Sequence, residues 1–113
     1  MLKPALPDAK YFSCNDLYLR SMDAPSGKKI FDTCHEIAQM LIEKNVSYGD
    51  SALSPARIFA QSDNIEQIKI RIDDKINRIK NNQGFAGDND IDDLIGYLIL
   101  LKIAIDKARA EEV

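Results

Sequence analysis

The stretch Asn64–Asn82, NIEQIKIRIDDKINRIKNN, carries the clearest structural signal in the chain. Its isoleucines recur at intervals of three and four residues: Ile65, Ile68, Ile72, Ile76 and Ile79. That spacing places them on one side of an α-helix, whereas a half-buried strand would need strict alternation. Asp63, with Glu66 three residues later, is typical of a capping box at a helix start.

The segment before it, KKIFDTCHEIAQMLIEKN, also has helical periodicity. Its apolar stripe comprises Ile30, Cys34, Ile37, Ala38 and Leu41. A polar stripe lies nearly opposite and comprises Asp32, Glu36, Gln39 and Glu43. Such a polar stripe is either a solvated face or one half of a site, and periodicity does not choose between them.

A third helix is predicted from Asp90 to Glu112, DIDDLIGYLILLKIAIDKARAEE, with Asp88 or Asn89 as its cap. Its acidic residues lie at the positive end of the helix dipole. Because 94–105 is apolar on nearly every face, we expect this helix to be central and buried. Gly96 lowers helix propensity, so we expect it to mark a close helix–helix approach.

These elements, with short helices at 13–22 and after Pro55, predict an all-α fold. We expect a single domain over 1–113, a bundle of about four to five helices completed by oligomerisation, with 1–11 as an N-terminal arm. No segment favours a strand over a helix.

Composition excludes several classes of function. The 113 residues are 45% hydrophobic and 29% charged, with a net charge of −3, so no broad basic field favours nucleic acid or an anionic membrane. Cys14 and Cys34 form no disulfide pattern, which indicates a reducing compartment. The first residues lack an apolar leader, and we expect a cytoplasmic protein.

Asp90, Asp93 and Tyr97 fall on one stripe of the last helix, which is apolar further along. Burying two unpaired carboxylates costs several kcal/mol each, so they need a cation. An antiparallel helix pair would bring them towards Glu36 and Glu43, and four carboxylates would suit two or more Mg²⁺ or Mn²⁺ ions. Alternatively, the aspartates are ordinary dipole and capping residues.

Three motifs in order resemble one family: HEIAQMLIEKNVSYGDS, IRIDDKINRIKN and DIDDLIGYLIL. They are similar to motifs of the MazG-like all-α nucleoside triphosphate pyrophosphohydrolases. The greatest similarity is to the small branch with a K-N-x-x-Y-G motif found in phage and bacterial nucleotide modification. The resemblance spans roughly 31–105.

The resemblance implies cleavage of a (d)NTP between the α and β phosphates, giving a (d)NMP and pyrophosphate. Its metal ligands would be Glu36, Glu43, Asp90 and Asp93, with Glu36 or Glu43 positioning the attacking water. Asp90 replaces the glutamate that is usual in the second motif. Gln39 replaces a glutamate of the first motif, and Glu43 is placed to compensate one turn later.

The remaining implied roles concern the substrate. Substrate-binding residues would be Lys44, Asn45, Tyr48, Asp50, Lys75, Arg78 and Tyr97. The expected substrate is a purine deoxynucleotide, dGTP or dATP, and the expected assembly is a homodimer or homotetramer. Two alternatives remain: a non-enzymatic helical adaptor with a solvated acidic stripe, and a house-cleaning hydrolase of non-canonical nucleotides.

Overall fold

The computed structural model of the protein describes residues 12–55, 63–81 and 89–112. Within these ranges the chain forms helices and no strands: α1 (Cys14–Ser21), α2 (Gly27–Ser47), α3 (Asn64–Asn81) and α4 (Asp90–Glu111). The predicted all-α class is therefore confirmed. The predicted arm at 1–11 and the short helix after Pro55 lie outside the described residues. None of the described helices is long and apolar enough to cross a membrane.

The chain divides into two compact units, Met1–Gln39 and Met40–Val113, with the boundary inside α2. In the first unit, Ser13 Oγ caps α1 by accepting a hydrogen bond from the Asp16 amide at 3.0 Å. The Tyr18 ring meets the Phe31 ring edge to face, with centroids 5.3 Å apart. A short turn that ends at Gly27 connects α1 to α2.

Gly27 permits a close backbone approach in that turn. A Cβ atom added there would lie only 1.9 Å from the carbonyl oxygen of Ser21. A distance this short is a direct clash with backbone, which has no flexible end to move aside. The α1–α2 turn therefore requires glycine at this position.

The apolar stripe of α2 is only partly covered. Ile37 is buried, while Ile30, Cys34 and Ala38 are exposed. The α1 helix has only eight residues and buries none of its own side chains, so it offers little surface against which a stripe can pack. Cys14 and Cys34 both carry exposed free thiols.

The core of the second unit lies between α3 and α4. It consists of Ile68, Ile72, Leu100 and Ala104, and partly buried side chains such as Leu41 surround it. The isoleucine stripe of α3 is thus confirmed in its first half. Further along the helix, Ile76 and Ile79 are exposed.

Along α4, only Gly96, Leu100 and Ala104 are buried, at intervals of four residues. Outside this buried row, the helix exposes Ile91, Leu98, Ile99 and Ile103. The expectation that α4 is a central, buried helix is therefore met only along this one row in the isolated chain. The expected close approach of another helix at Gly96 is not found, since a Cβ atom added there would meet, among the described residues, only the side-chain ends of Leu41, at 3.3 Å, and Met40, at 4.0 Å.

Candidate functional site

Helix α2 ends in a tight turn. The Asp50 amide donates to the Asn45 carbonyl at 3.0 Å, and Gly49 has a left-handed φ of 61°. This six-to-one hydrogen bond with a left-handed glycine is the pattern of a Schellman cap. Asp50 itself has a φ of 63°, which a residue other than glycine adopts at some cost.

This turn helps to form a groove in the second unit, with a volume of about 670 Å³. The groove lies between the last turns of α2, helix α3 and the first half of α4. It is lined by Met40, Leu41, Lys44, Asn45, Tyr48, Ser51, Ala52, Gln67, Ile68, Ile70, Arg71, Asp93, Gly96, Tyr97 and Leu100. Apolar side chains from the core thus meet a set of polar and charged groups.

Several sequence-predicted site residues line this groove together: Lys44, Asn45, Tyr48, Asp93 and Tyr97. Tyr48 is 67% exposed and Tyr97 is half-buried against the core. The exposure of Tyr48 is inconsistent with a ring packed in the core.

Among the lining residues that sequence reasoning missed are Gln67 and Arg71, which are one turn apart on α3. Their position beside Ile68 and Ile72 in the helical repeat placed them on the flank of the buried stripe. Helical periodicity identified Gln67 and Arg71 as neighbours of the buried stripe, but it did not show which side of the stripe faces a groove.

Beside the groove, the carboxylates of α4 form ion pairs with α2 and α3. Lys75 Nζ lies 3.4 Å from Asp90 Oδ1 and 3.2 Å from Asp93 Oδ2. Lys44 Nζ donates to Asp93 Oδ1 at 3.0 Å, and an Arg78 nitrogen lies 4.0 Å from Asp90 Oδ1. The cation that the two aspartates require is therefore supplied by basic side chains of the chain itself.

These contacts set the charge states of the network. Partial burial disfavours the charged form of Asp93, but hydrogen bonds from Lys44 and Lys75 outweigh burial and hold its pKa below the ordinary value. For Lys75, burial also disfavours the charge, but its hydrogen bonds to Asp93 and Asp90 raise the pKa above the ordinary value. Both groups are therefore firmly ionised at neutral pH.

The remaining predicted residues lie elsewhere. Glu43 is exposed near the end of α2, and Glu36 is exposed in the first unit. Asp50 is exposed and does not line the groove. Among the residues that the structure describes, no three Asp, Glu, His or Cys side chains gather closely enough to hold a metal ion.

The donor chemistry of Asp90 and Asp93 nevertheless suits a hard cation. Both carboxylates approach one cationic atom, Lys75 Nζ, which occupies the position of an ion between them. Carboxylate oxygens are the ligands that Mg²⁺ and Mn²⁺ prefer. Both carboxylates are already paired with lysines, and no third acidic, histidine or cysteine side chain among the described residues lies close enough to complete a metal site.

No protein-family model, curated protein or solved structure matches the chain. The similarity to the MazG-like enzymes therefore rests on the sequence motifs alone.

Proposed function

We propose that the chain is a metal-dependent nucleoside triphosphate pyrophosphohydrolase that converts a purine deoxynucleotide, dGTP or dATP, to the monophosphate and pyrophosphate. One observation carries the proposal. Residues selected from sequence motifs alone, including Lys44, Asn45, Tyr48 and Asp93, line a common groove. Lys44, Asn45 and Tyr48 belong to one sequence motif and Asp93 to another, so the groove brings two of the motifs together.

The groove has the size and chemistry that a nucleotide needs. Its volume of about 670 Å³ falls within the range of roughly 300–1,000 Å³ that is usual for small-molecule sites. Leu41, Ile68 and Leu100 provide apolar surface, and the rings of Tyr48 and Tyr97 offer flat faces for a base or sugar.

The groove also has positive charge for phosphates. Lys44 and Arg71 line it, against the single carboxylate of Asp93. Arginine binds phosphate oxygens with paired donors, and lysine binds them as a point charge. We assign the triphosphate to these cationic side chains, which would stabilise charge that develops on the phosphates.

Asp90 and Asp93, with Glu43 of the same unit, would hold the divalent ions. Mg²⁺ or Mn²⁺, when bound, would supply Lewis-acid polarisation of the phosphate and a more acidic water. In the proposed hydrolysis, the water oxygen would form a bond to the α-phosphorus while the bond to the bridging oxygen breaks and pyrophosphate leaves. Glu43 would accept the proton that the water loses.

The test is product analysis of a panel of nucleotides incubated with protein and Mg²⁺ or Mn²⁺. The panel contains dGTP, dATP, the other dNTPs, GTP, dGDP and oxidised or deaminated nucleotides. Equal amounts of monophosphate and pyrophosphate are expected from a purine dNTP. Release of a diphosphate and inorganic phosphate would contradict the assigned cleavage, and a preference for damaged nucleotides would indicate a house-cleaning enzyme.

A matched pair of variants locates the activity. Asp93→Asn is expected to lower kcat by orders of magnitude, because Asp93 both lines the groove and is a proposed ligand. Asp106→Asn makes the same change on the same helix, at an exposed residue paired with Lys102. This control is expected to keep wild-type activity.

A second candidate function is a non-enzymatic interaction protein, and two observations favour it. The ion pairs with Lys75 and Lys44 account for both aspartates without a metal. The second unit also exposes large apolar side chains on α3 and α4, among them Ile70, Leu98 and Ile103. No turnover of any nucleotide by a folded protein would favour this candidate.

A further inference from the structure

Gly96 interrupts the row of side chains by which α4 packs into the core. Gly96, Leu100 and Ala104 are buried at intervals of four residues, so they lie on one side of the helix. Leu100 and Ala104 fill the core beside Ile68 and Ile72. One turn before Leu100 the row has no side chain, and there Gly96 lines the groove. The groove therefore extends to the backbone of α4 at the point where the row lacks a side chain.

The backbone does not require glycine at this position. Within the described residues a left-handed φ occurs only at Gly49 and Asp50, so an alanine could adopt the conformation of Gly96. A glycine inside a helix is also less favourable than an alanine. The presence of Gly96 in α4 therefore needs another physical reason.

The space beside Gly96 is bordered by side chains rather than by the backbone of another helix. A Cβ atom added there would lie 3.3 Å from Leu41 Cδ1 and 4.0 Å from Met40 Cε, and no other atom from the rest of the described chain lies within 4 Å. Both side chains also line the groove. What the glycine provides is therefore room in the groove.

We propose that Gly96 keeps the groove deep enough for the base of a purine nucleotide, and that it is a specificity-determining residue of the site. This inference rests on the proposed function and deepens it, because it assigns a position to the base. The lining residues Met40, Leu41 and Leu100 are apolar. Such a surface suits the flat face of an aromatic ring and does not suit a phosphate.

The added depth matters more to a purine than to a pyrimidine. A purine has two fused rings and a pyrimidine has one, so the purine reaches further into the groove when the sugar and phosphate are held alike. A methyl group on residue 96 would occupy space that the second ring needs. In an apolar pocket, the room for one methylene group changes discrimination by roughly 10–200-fold.

The test compares the binding of dGMP and dCMP to the wild type and to Gly96→Ala. Each nucleotide is titrated into the isotope-labelled full chain without metal, and its affinity is measured from the shifts of amide signals in NMR spectra. The wild type is expected to bind dGMP more tightly than dCMP. Gly96→Ala is expected to bind dGMP about tenfold more weakly than the wild type does. Its affinity for dCMP, the internal control, should stay the same.

A second substitution tests whether the methyl group acts by narrowing the groove. Leu41→Val removes the Cδ1 atom that the new methyl group would meet. Added to Gly96→Ala, it should restore part of the affinity for dGMP. The two single changes and the double change form a cycle, and independent effects would give no such recovery.

Thermal melting shows whether a loss of affinity reflects a damaged fold. Gly96→Ala is expected to melt no lower than the wild type, because alanine favours the helix and the side-chain ends of Leu41 and Met40 can move aside. If this variant does not fold, Met40→Phe is used instead, since it narrows the same space from α2. It is expected to show the same selective loss of dGMP binding.

Equal affinity of the wild type for dGMP and dCMP would overturn the inference. Unchanged dGMP binding by folded Gly96→Ala would also overturn it, as would an equal loss for both nucleotides. The proposed function is judged separately, by nucleotide hydrolysis in the wild type. If the wild type hydrolyses a dNTP but Gly96→Ala keeps its preference for dGMP, only the inference fails. If Gly96→Ala loses that preference but the wild type hydrolyses no nucleotide, the inference stands and the proposed function fails.

Discussion

Tyr48 contributes to the groove without being held by the core, because 67% of its surface is exposed. Tyr48→Ala is therefore expected to lower stability by less than about 1 kcal/mol, as for other surface changes. If the ring packs against the sugar, the same variant should narrow the preference for dGTP over GTP. Parallel measurement of Tm and of kcat/KM for both nucleotides separates the two effects.

Tyr48→Phe is the control for that experiment, because it keeps the ring and removes only the hydroxyl. It should retain the sugar preference. A loss of about 3–5 kcal/mol in Tyr48→Ala would instead indicate a buried ring, and an unchanged sugar preference would remove Tyr48 from the site.

Asp50 is the residue with the least favourable backbone in the described chain, with a φ of 63° directly after the left-handed Gly49. Asp50→Gly and Asp50→Ala both remove the carboxylate, but only glycine adopts this conformation freely. The glycine variant is expected to be more stable than the alanine variant by about 1 kcal/mol. Urea denaturation of both proteins measures the difference, and equal stabilities would mean that the left-handed backbone is not maintained.

The sequence predicted the roles of individual residues well where the hydrogen-bond partner is close in sequence. Asn89 accepts from the Asp92 amide at 3.1 Å, as expected for a cap, and Asp63 accepts from the Ile65 amide at 3.3 Å. The need of Asp93 for a cation was also predictable. The identity of that cation was not, because it depends on the register of α3 against α4, which periodicity does not contain.

At the scale of elements, the connection between α1 and α2 depends on Gly27. Gly27→Ala would place Cβ 1.9 Å from the Ser21 carbonyl oxygen, so the turn must open. The free energy of unfolding is expected to fall by about 2–4 kcal/mol, which is a large effect for a single substitution. Circular dichroism during thermal melting measures it, with exposed Ala24 in the same turn changed to Gly as the control.

An Ala24→Gly variant should lose much less, since it removes only one exposed methyl group. If Gly27→Ala were as stable as the wild type, α1 and α2 would be connected differently from the described turn.

The helix bounds were predictable because caps and periodicity are local properties. Asn64–Asn81 and Asp90–Glu111 differ from the predicted segments by one residue at their ends. The burial of α4 was not predictable, because Ile91 and Ile99 satisfy an apolar pattern whether or not another surface covers them. A pattern shows that a side chain is able to be buried, and packing decides whether it is.

For the whole molecule, the ion pairs predict a broad pH range of constant stability. Asp93 has a lowered pKa, so its charge stabilises the folded protein above the ordinary pKa of 3.8. This stabilisation is lost as pH falls through the lowered pKa. Lys75 has a raised pKa, so its charge stabilises the folded protein below the ordinary pKa of 10.5. This stabilisation is lost as pH rises through the raised pKa. We expect the Tm to vary little between these limits on account of this network.

The Tm of Asp93→Asn, measured beside the wild type across the acid range, checks this. The wild type should melt higher near neutral pH, and the gap should shrink below about pH 4, because a protonated Asp93 resembles asparagine. A gap that is independent of pH would show that the charge of Asp93 does not contribute to stability.

The assembly of the chain stays a prediction, and the exposed side of α4 offers a way to test it. Ile91 and Leu98 lie seven residues apart on the same side of α4 and are exposed large hydrophobic residues of the kind that commonly lie in homo-oligomer interfaces. Ile91→Glu combined with Leu98→Glu should convert a dimer or tetramer to monomer, as measured by light scattering. A wild type that is monomeric at all concentrations would contradict the predicted oligomer.

The exposed thiols of Cys14 and Cys34 have a consequence for that measurement. In air, accessible thiols of neighbouring molecules become linked by disulfides. A chain with one such thiol stops at a covalent pair, but a chain with two is bivalent, and each added molecule leaves another thiol open for linkage. Oxidation is therefore expected to give a ladder of cross-linked species on a non-reducing gel. Light scattering must be done in reductant, because only an oligomer that persists there is held together by the apolar surface of the helices.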